Sequence, residues 1–374
     1  MERSTSPTRP RSVRLLFFNL ALALVAASIP CLAAEAVLRL LAFPSDTPGL
    51  FLKVASEVEW SGRPSSRGMF AGVPVAFNSL GLRDRERSMQ RTPGTKRILM
   101  LGDSMTFGMG VAEEETFPRV TEGLLNASQT RGPAPVEILN FSLPGHNTLH
   151  ELAQLKELGL AFHPDVVVVG FFYNDVELST AQGRRLARTI PGVAGVAGPP
   201  SLPRRVWSDV DTGVGALQHR SLLYAWVASR LGAAIRQLDA KGFGQVGKIN
   251  DQYVDSNQNW QLMRAALLEI KRLCEQRDIQ LVIAIIPAMA RFTESGYPIK
   301  AYHEAVSGFC RAQSITCLDL LPAFWGLDGT KFWISLTDGH PDARGHRIIA
   351  EALARFLVPL LRPRSVGVPR YTAR

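Results

Sequence analysis

Four short stretches carry side chain types that acyl chemistry needs. Gly102-Asp103-Ser104 ends a short apolar run and leaves a hydroxyl at its tip. Asn140-Phe141-Ser142-Leu143-Pro144-Gly145 closes a second run on a Pro-Gly turn. Phe171-Phe172-Tyr173-Asn174-Asp175 follows a third, and Thr337-Asp338-Gly339-His340-Pro341 leads into the last helical segment. Taken singly, each has a plainer reading: a Ser/Asp turn, a Pro-Gly turn, an Asn cap, a loop histidine beside proline. Together they form a set. A base takes the serine proton, a carboxylate orients the base, and fixed donors hold an oxyanion. Ser104 is the candidate nucleophile and His340 the candidate base, with Asp338 two positions before it. The glycine after Ser104 comes at 108, too late for a G-x-S-x-G elbow.

An alternation of strands and helices must position these residues. Apolar or β-branched runs at 97–102, 136–140, 165–170, 280–286 and 315–320 read as strands. Helical periodicity covers 115–127, 148–161, 260–277, 301–312 and 341–361, and Asn147 stands where a cap belongs. Val166-Val167-Val168-Val169 is an unbroken β-branched run, as expected of a strand buried on both faces. The alternation predicts a five-stranded parallel sheet between two helical layers, in a domain over 96–361. Ligands bind at the carboxyl ends of such strands, where the four stretches fall. Two segments interrupt the pattern. Residues 35–95 read as a linker and N-terminal extension. Residues 176–257 form an insert too long for an ordinary connection, and such inserts are usually lids or substrate loops. Its part 190–203 is rich in Gly, Pro and Val, and its part 216–238 is helical in pattern.

The chain has 374 residues, 46% hydrophobic and 20% charged, enough apolar content for a real core. Its formal charge of +9 is concentrated at the ends, in a basic tail over 1–14 and another over 362–374, which carry seven of the nine charges. The middle is nearly neutral and shows no basic groove with interleaved aromatics, so nucleic acid is excluded as a partner. Residues 15–34 are twenty residues without a charge, the length of a membrane-crossing helix. Arg9, Arg11 and Arg14 before that run place the N-terminus in the cytoplasm and the rest in the periplasm. A cleaved signal with Ala34-Glu35-Ala36 as its site, giving a secreted protein, is the alternative. The length of the run, and the amphipathic continuation through Glu35, Leu38 and Arg39, favour an uncleaved anchor. Cys31, after Ser28-Ile29-Pro30, fits a lipoprotein site poorly. Cys310 and Cys317 are spaced to bridge a helix end to the next strand; buried free thiols are the other reading. No spacing suggests zinc, and nothing calls for a cofactor.

The order of the four stretches resembles the SGNH/GDSL hydrolase family, named for blocks carrying Ser, Gly, Asn and His. Gly102-Asp103-Ser104 matches the first block, Gly145 the second, Asn174-Asp175 the third and Asp338-Gly339-His340-Pro341 the last. The resemblance spans about 97–360. It implies a three-layer α/β/α, flavodoxin-like fold and a Ser-His-Asp triad. It also implies an oxyanion hole made by the backbone N–H groups of Ser104 and Gly145 and the Asn174 side chain. The usual last block is D-x-x-H, whereas this chain has D-x-H. The shorter spacing resembles a subset of envelope proteins that includes SGNH-like alginate O-acetyltransferases. It leaves open whether Asp338 orients the His340 ring or caps the final helix. Asn78-Ser79-Leu80-Gly81-Leu82-Arg83-Asp84 resembles a stretch ahead of the catalytic domain in membrane-anchored members, and reads as a structural turn. The resemblance implies an esterase that deacylates an acetylated glycan or another envelope ester. An O-acyltransferase using the same serine remains the alternative. A non-catalytic envelope scaffold is disfavoured by the intact Ser104, Gly145, Asn174 and His340.

Overall fold

The computed structural model describes residues 11–40, 46–127, 134–177, 223, 249–290, 292, 296–335 and 338–362. Apart from both ends and Leu223, most of the 176–257 insert lies outside the described residues, including its 190–203 and 216–238 parts. The chain forms two units. In the first, α1 (Arg11–Leu40) is a single helix of 30 residues. Its window Phe18–Val37 is long and apolar enough to cross a membrane, and none of it is buried.

The second unit begins with short strands: β1 (Phe51–Lys53) pairs antiparallel with β2 (Trp60–Gly62), and β3 (Arg67–Phe70) with β4 (Val73–Ala76). Then come the strands of the central sheet: β5 (Lys96–Gly102), β6 (Val136–Ser142), β7 (Val166–Phe171), β8 (Gln280–Ile285) and β9 (Thr316–Asp319). All neighbouring pairs are parallel, in the order β6-β5-β7-β8-β9. That is the 2-1-3-4-5 order of flavodoxin-like sheets, in which the chain reverses direction beside the first strand. Every residue of β7 is buried, which requires cover on both faces. The helices are α2 (Ser104–Phe107), α3 (Phe117–Ala127), α4 (Thr148–Glu157), α5 (Gln258–Glu275), α6 (Lys300–Ala312) and α7 (Ala343–Leu360). Helix α3 packs with α7, and α4 with α5. Asn147 caps α4 by accepting the N–H groups of Leu149 and His150, as its position in the sequence suggested.

The path to the histidine differs from the expected one. His340 does not follow the fifth strand directly. A further hairpin intervenes, in which β10 (Trp333–Ser335) pairs antiparallel with β11 (Asp338–Pro341) across a register shift. The segment 46–95 is likewise built structure. Leu50, Phe70, Val75 and Phe77 form a second small core together with Phe107 and Leu143, the last two belonging to the Ser104 and Gly145 stretches. All four cysteines are free thiols, so the Cys310–Cys317 bridge is not formed here.

Candidate active site

The sheet register brings three of the four stretches together. Gly102 pairs with Ser142 on one side and Gly170 on the other. Ser104, Gly145 and Asn174 therefore leave the carboxyl ends of three adjacent strands. Ser104 opens α2, whose N-cap Asp103 accepts the Met105 N–H at 2.8 Å. Thr106, two residues on, packs down between β5 and β7. A Cβ built on Gly102 or Gly170 would lie 2.2 or 2.3 Å from its Oγ1, so both strands need glycine at these paired positions for the serine turn to settle. Gly145 has φ +78°, a left-handed turn that glycine adopts freely. The Leu143 N–H donates to Gly102 O, tying that turn to β5.

The β10–β11 hairpin delivers the histidine. Trp333 anchors it by donating from Nε1 to Met289 O at 2.6 Å. His340 Nε2 lies 2.8 Å from Ser104 Oγ, and His340 Nδ1 lies 2.5 Å from Asp338 Oδ1. The same carboxylate oxygen accepts the His340 backbone N–H at 3.0 Å. The one-residue spacing thus lets a single carboxylate hold both the main chain and the ring of its histidine. The final helix has its own cap: Asp342 accepts the N–H groups of Arg344 and Gly345. With a carboxylate on Nδ1, the ring keeps its proton there and presents the Nε2 lone pair to the serine hydroxyl. Burial lowers the pKa of His340, but the hydrogen bond and charge of Asp338 and the charge of Asp103 outweigh it, leaving it above the ordinary 6.5. Two other histidines near the site stay neutral. Burial pushes His146 well down, aided by His150, and burial with the charges of Arg83 and His340 holds His346 to about 3.

Beneath the serine lies a group of buried acids, two of them from the motifs themselves. Asp103, Glu151 and Asp175 are fully buried. Burial raises the Asp103 pKa and outweighs the Met105 N–H, the His340 charge and the Asn174 side-chain amide, which lower it. Burial raises Glu151 well above the carboxylate range, with Asp103 adding to it. Asp175 is raised by burial and by both neighbours. Asp175 also accepts the Phe172 N–H at 2.8 Å, which holds the turn carrying Asn174. Trp60, from the N-terminal segment, donates from Nε1 to Pro144 O at 3.1 Å and so props the Gly145 turn. Asp175 and Asp103 are adjacent to marked residues and were within reach of sequence reasoning. Trp60 and Glu151 carry no local signal.

The GDSL-like Lipase/Acylhydrolase family matches residues 100–348, two-thirds of the chain, and the chain belongs to that family. It is a hydrolase acting on ester bonds. A search of the curated proteins finds no match. Among solved structures the chain is similar to TesA, with 13% identity, 71% of this chain and 99% of that chain covered, and a TM-score of 0.40. It is similar to Axe2, an acetylxylan esterase from Geobacillus stearothermophilus, with 14% identity, 70% and 93% coverage and a TM-score of 0.40. It is also similar to LAE5, an alpha/beta hydrolase enzyme from the metagenome of Lake Arreo, with 14% identity, 72% and 97% coverage and a TM-score of 0.39.

Proposed function

We propose that the protein is a serine esterase in which Ser104 is the nucleophile, His340 the base and Asp338 its orienter. The observation that carries this is the continuous chain from Ser104 Oγ through the His340 ring to Asp338 Oδ1. Ser104 Oγ attacks the ester carbonyl while its proton passes to Nε2. The tetrahedral oxyanion is held by the N–H groups of Ser104 and Gly145 and by the Asn174 amide. Nε2 then returns the proton to the departing alcohol, leaving an acyl-serine. Water, deprotonated by the same nitrogen, releases the acid and restores the hydroxyl. Asp338 stabilises the imidazolium formed in each half-reaction.

The substrate class we infer is an acylated envelope ester, in the first place an acetylated glycan. Helix α1 would anchor the protein in the cytoplasmic membrane, with the catalytic unit on the periplasmic side. The apolar window of α1 and the arginines before it support this placement. A C-terminal reporter active only in the cytoplasm overturns it.

The deciding experiment is p-nitrophenyl acetate turnover with and without a glycan acceptor, in wild type and Ser104→Ala. Wild type should release acetate, with or without the acceptor, and Ser104→Ala should be silent. Acetyl appearing on the acceptor in place of free acetate would make the protein an O-acyltransferase.

A further inference from the structure

The stretch Asn78-Ser79-Leu80-Gly81-Leu82-Arg83-Asp84 lies outside the four blocks, yet its side chains reach the serine turn. Asn78 Oδ1 accepts the N–H groups of Leu80 and Leu82, both at 3.0 Å, a turn of the kind asparagine makes with its own backbone. That turn sends Arg83 inward, where it is 1% exposed. Its Nη1 donates to Phe107 O at 3.0 Å and Gly108 O at 2.6 Å, and its Nη2 to Val111 O at 2.5 Å. The guanidinium carbon lies 4.9 Å from the centre of the Phe107 ring. Asp84, the next residue, is fixed by Arg119 at 2.6 Å and accepts the Asn140 N–H at 3.3 Å, so the turn is tied to α3 and β6.

The carbonyls of Phe107 and Gly108 close α2, the four-residue helix that Ser104 opens. A single turn does not hold its own shape in water. Asp103 accepts the Met105 N–H at its start, and the planar fork of Arg83 gathers the carbonyls at its other end. We propose that Arg83 is a positioning residue for Ser104: by clamping the carboxyl end of α2 it sets where the serine hydroxyl meets His340. The proposal rests on Ser104 being the nucleophile. Burial lowers the Arg83 pKa, against the charges of Glu113 and Glu114, to about 10, so the clamp stays charged at neutral pH. Lysine is no substitute, because one ammonium centre cannot reproduce a fork that spans three carbonyls.

The test uses the full chain in detergent and the rate of Ser104 labelling by a fluorophosphonate, beside kcat and KM for p-nitrophenyl acetate. The variants are Arg83→Ala, Arg83→Lys and a destabilised control far from the serine turn, Val306→Ala in α6. Both Arg83 variants should label about 10²-fold more slowly, the loss expected of an ångström-scale misplacement. The loss should fall on kcat with KM nearly unchanged. Millimolar guanidinium ion should restore part of the rate to Arg83→Ala, saturably, and none to Arg83→Lys. Val306→Ala, lowered in melting temperature, should label at the wild-type rate per folded molecule. Arg83 variants that label as fast as wild type, or lose rate only as the folded fraction falls, overturn the inference. Should Arg83→Ala not fold, the kcat of Arg83→Lys decides. Wild type that labels elsewhere than Ser104 overturns the nucleophile assignment itself, a different result from slow labelling of the variants alone.

Discussion

The central sheet and the 46–95 segment support the same loops by different means. The sheet is built of runs buried on both faces, and its register alone brings Gly102, Ser142 and Gly170 side by side. The segment has strands of three or four residues, with only three of their fourteen positions fully buried. Its worth lies in single long-range contacts: Phe70 and Phe77 pack on Phe107, at 6.1 Å between ring centres in both cases, and Trp60 donates to Pro144 O. Loops at the end of a parallel sheet have no ladder partners of their own, and buried backbone groups must be paired somewhere. The sheet thus decides where Ser104, Gly145 and Asn174 leave the fold. The segment before it decides how firmly they are held once they have left.

The largest effects should come from the sheet edge that carries Ser104 and the hairpin that faces it. Ser104→Ala and His340→Ala should each lose on the order of 10⁶-fold in kcat, because triad members act as a unit, while melting temperature changes little. Residual turnover within tenfold of wild type in either variant would remove that residue from the chemistry. Asp338→Asn should lose roughly 10⁴-fold, since an amide on Nδ1 permits the wrong tautomer. It should also move the pH profile. The base works when neutral, so kcat/KM should rise with pH through a midpoint above 6.5 in wild type, the direction in which Asp338 and Asp103 shift His340. Removing the Asp338 charge should bring the midpoint down. An unmoved midpoint would mean that another group sets the titration.

The next effect sharpens the comparison directly. Phe70→Ala in β3 and Ile283→Ala in β8 both empty buried space, at a cost of about 3–5 and 2–5 kcal/mol respectively. Their stability losses should be similar, but their rates should not. Per folded molecule, counted by active-site titration, Ile283→Ala should keep its activity and Phe70→Ala should lose about tenfold through a displaced α2. Equal specific activities would reduce the 46–95 segment to packing.

The same contrast explains what the sequence disclosed. Val166–Phe171 was readable within a residue at each end because an unbroken β-branched run has few other fates. Asn147 was readable as a cap from its type and place. The helix expected over 148–161 instead stops at Glu157 and continues as a tighter turn over Gly159–Phe162, since glycine weakens the end of a helix. The β10–β11 hairpin left no periodic trace. Its strands have three and four residues, and its anchor is a tryptophan bonding to a distant carbonyl. His340 was a candidate from its neighbours Asp338 and Pro341, whereas its location in a hairpin was not readable. Asp338 as a helix cap gives way to Asp342, the residue directly before α7. Arg83 was marked only by the motif around it, and its three carbonyl partners lie 24 to 28 residues away.

The last effect falls on stability and leaves the rate alone: it concerns the acids under the serine turn, where sheet and loops meet. Glu151 is 0% exposed, and among the described residues neither of its carboxyl oxygens has a hydrogen-bond partner. Burial first, and then the charge of Asp103, raises its pKa well above the ordinary range. In the unfolded chain the same carboxyl ionises near pH 4. Between that pH and its native pKa the unfolded state has lost a proton that the native state keeps, so stability falls as pH rises, by about 1.4 kcal/mol per unit at most. Below pH 4 both states are protonated and the full stability is present. Glu151→Gln keeps the shape and removes the titration. It should therefore melt close to wild type at pH 4 and progressively above it toward pH 8. Melting temperatures of the two proteins taken across pH 4 to 8 decide the matter. Curves that run parallel would mean that Glu151 finds a proton or a partner in the unfolded chain as readily as in the native one, and that the acids beneath Ser104 carry no pH-linked cost.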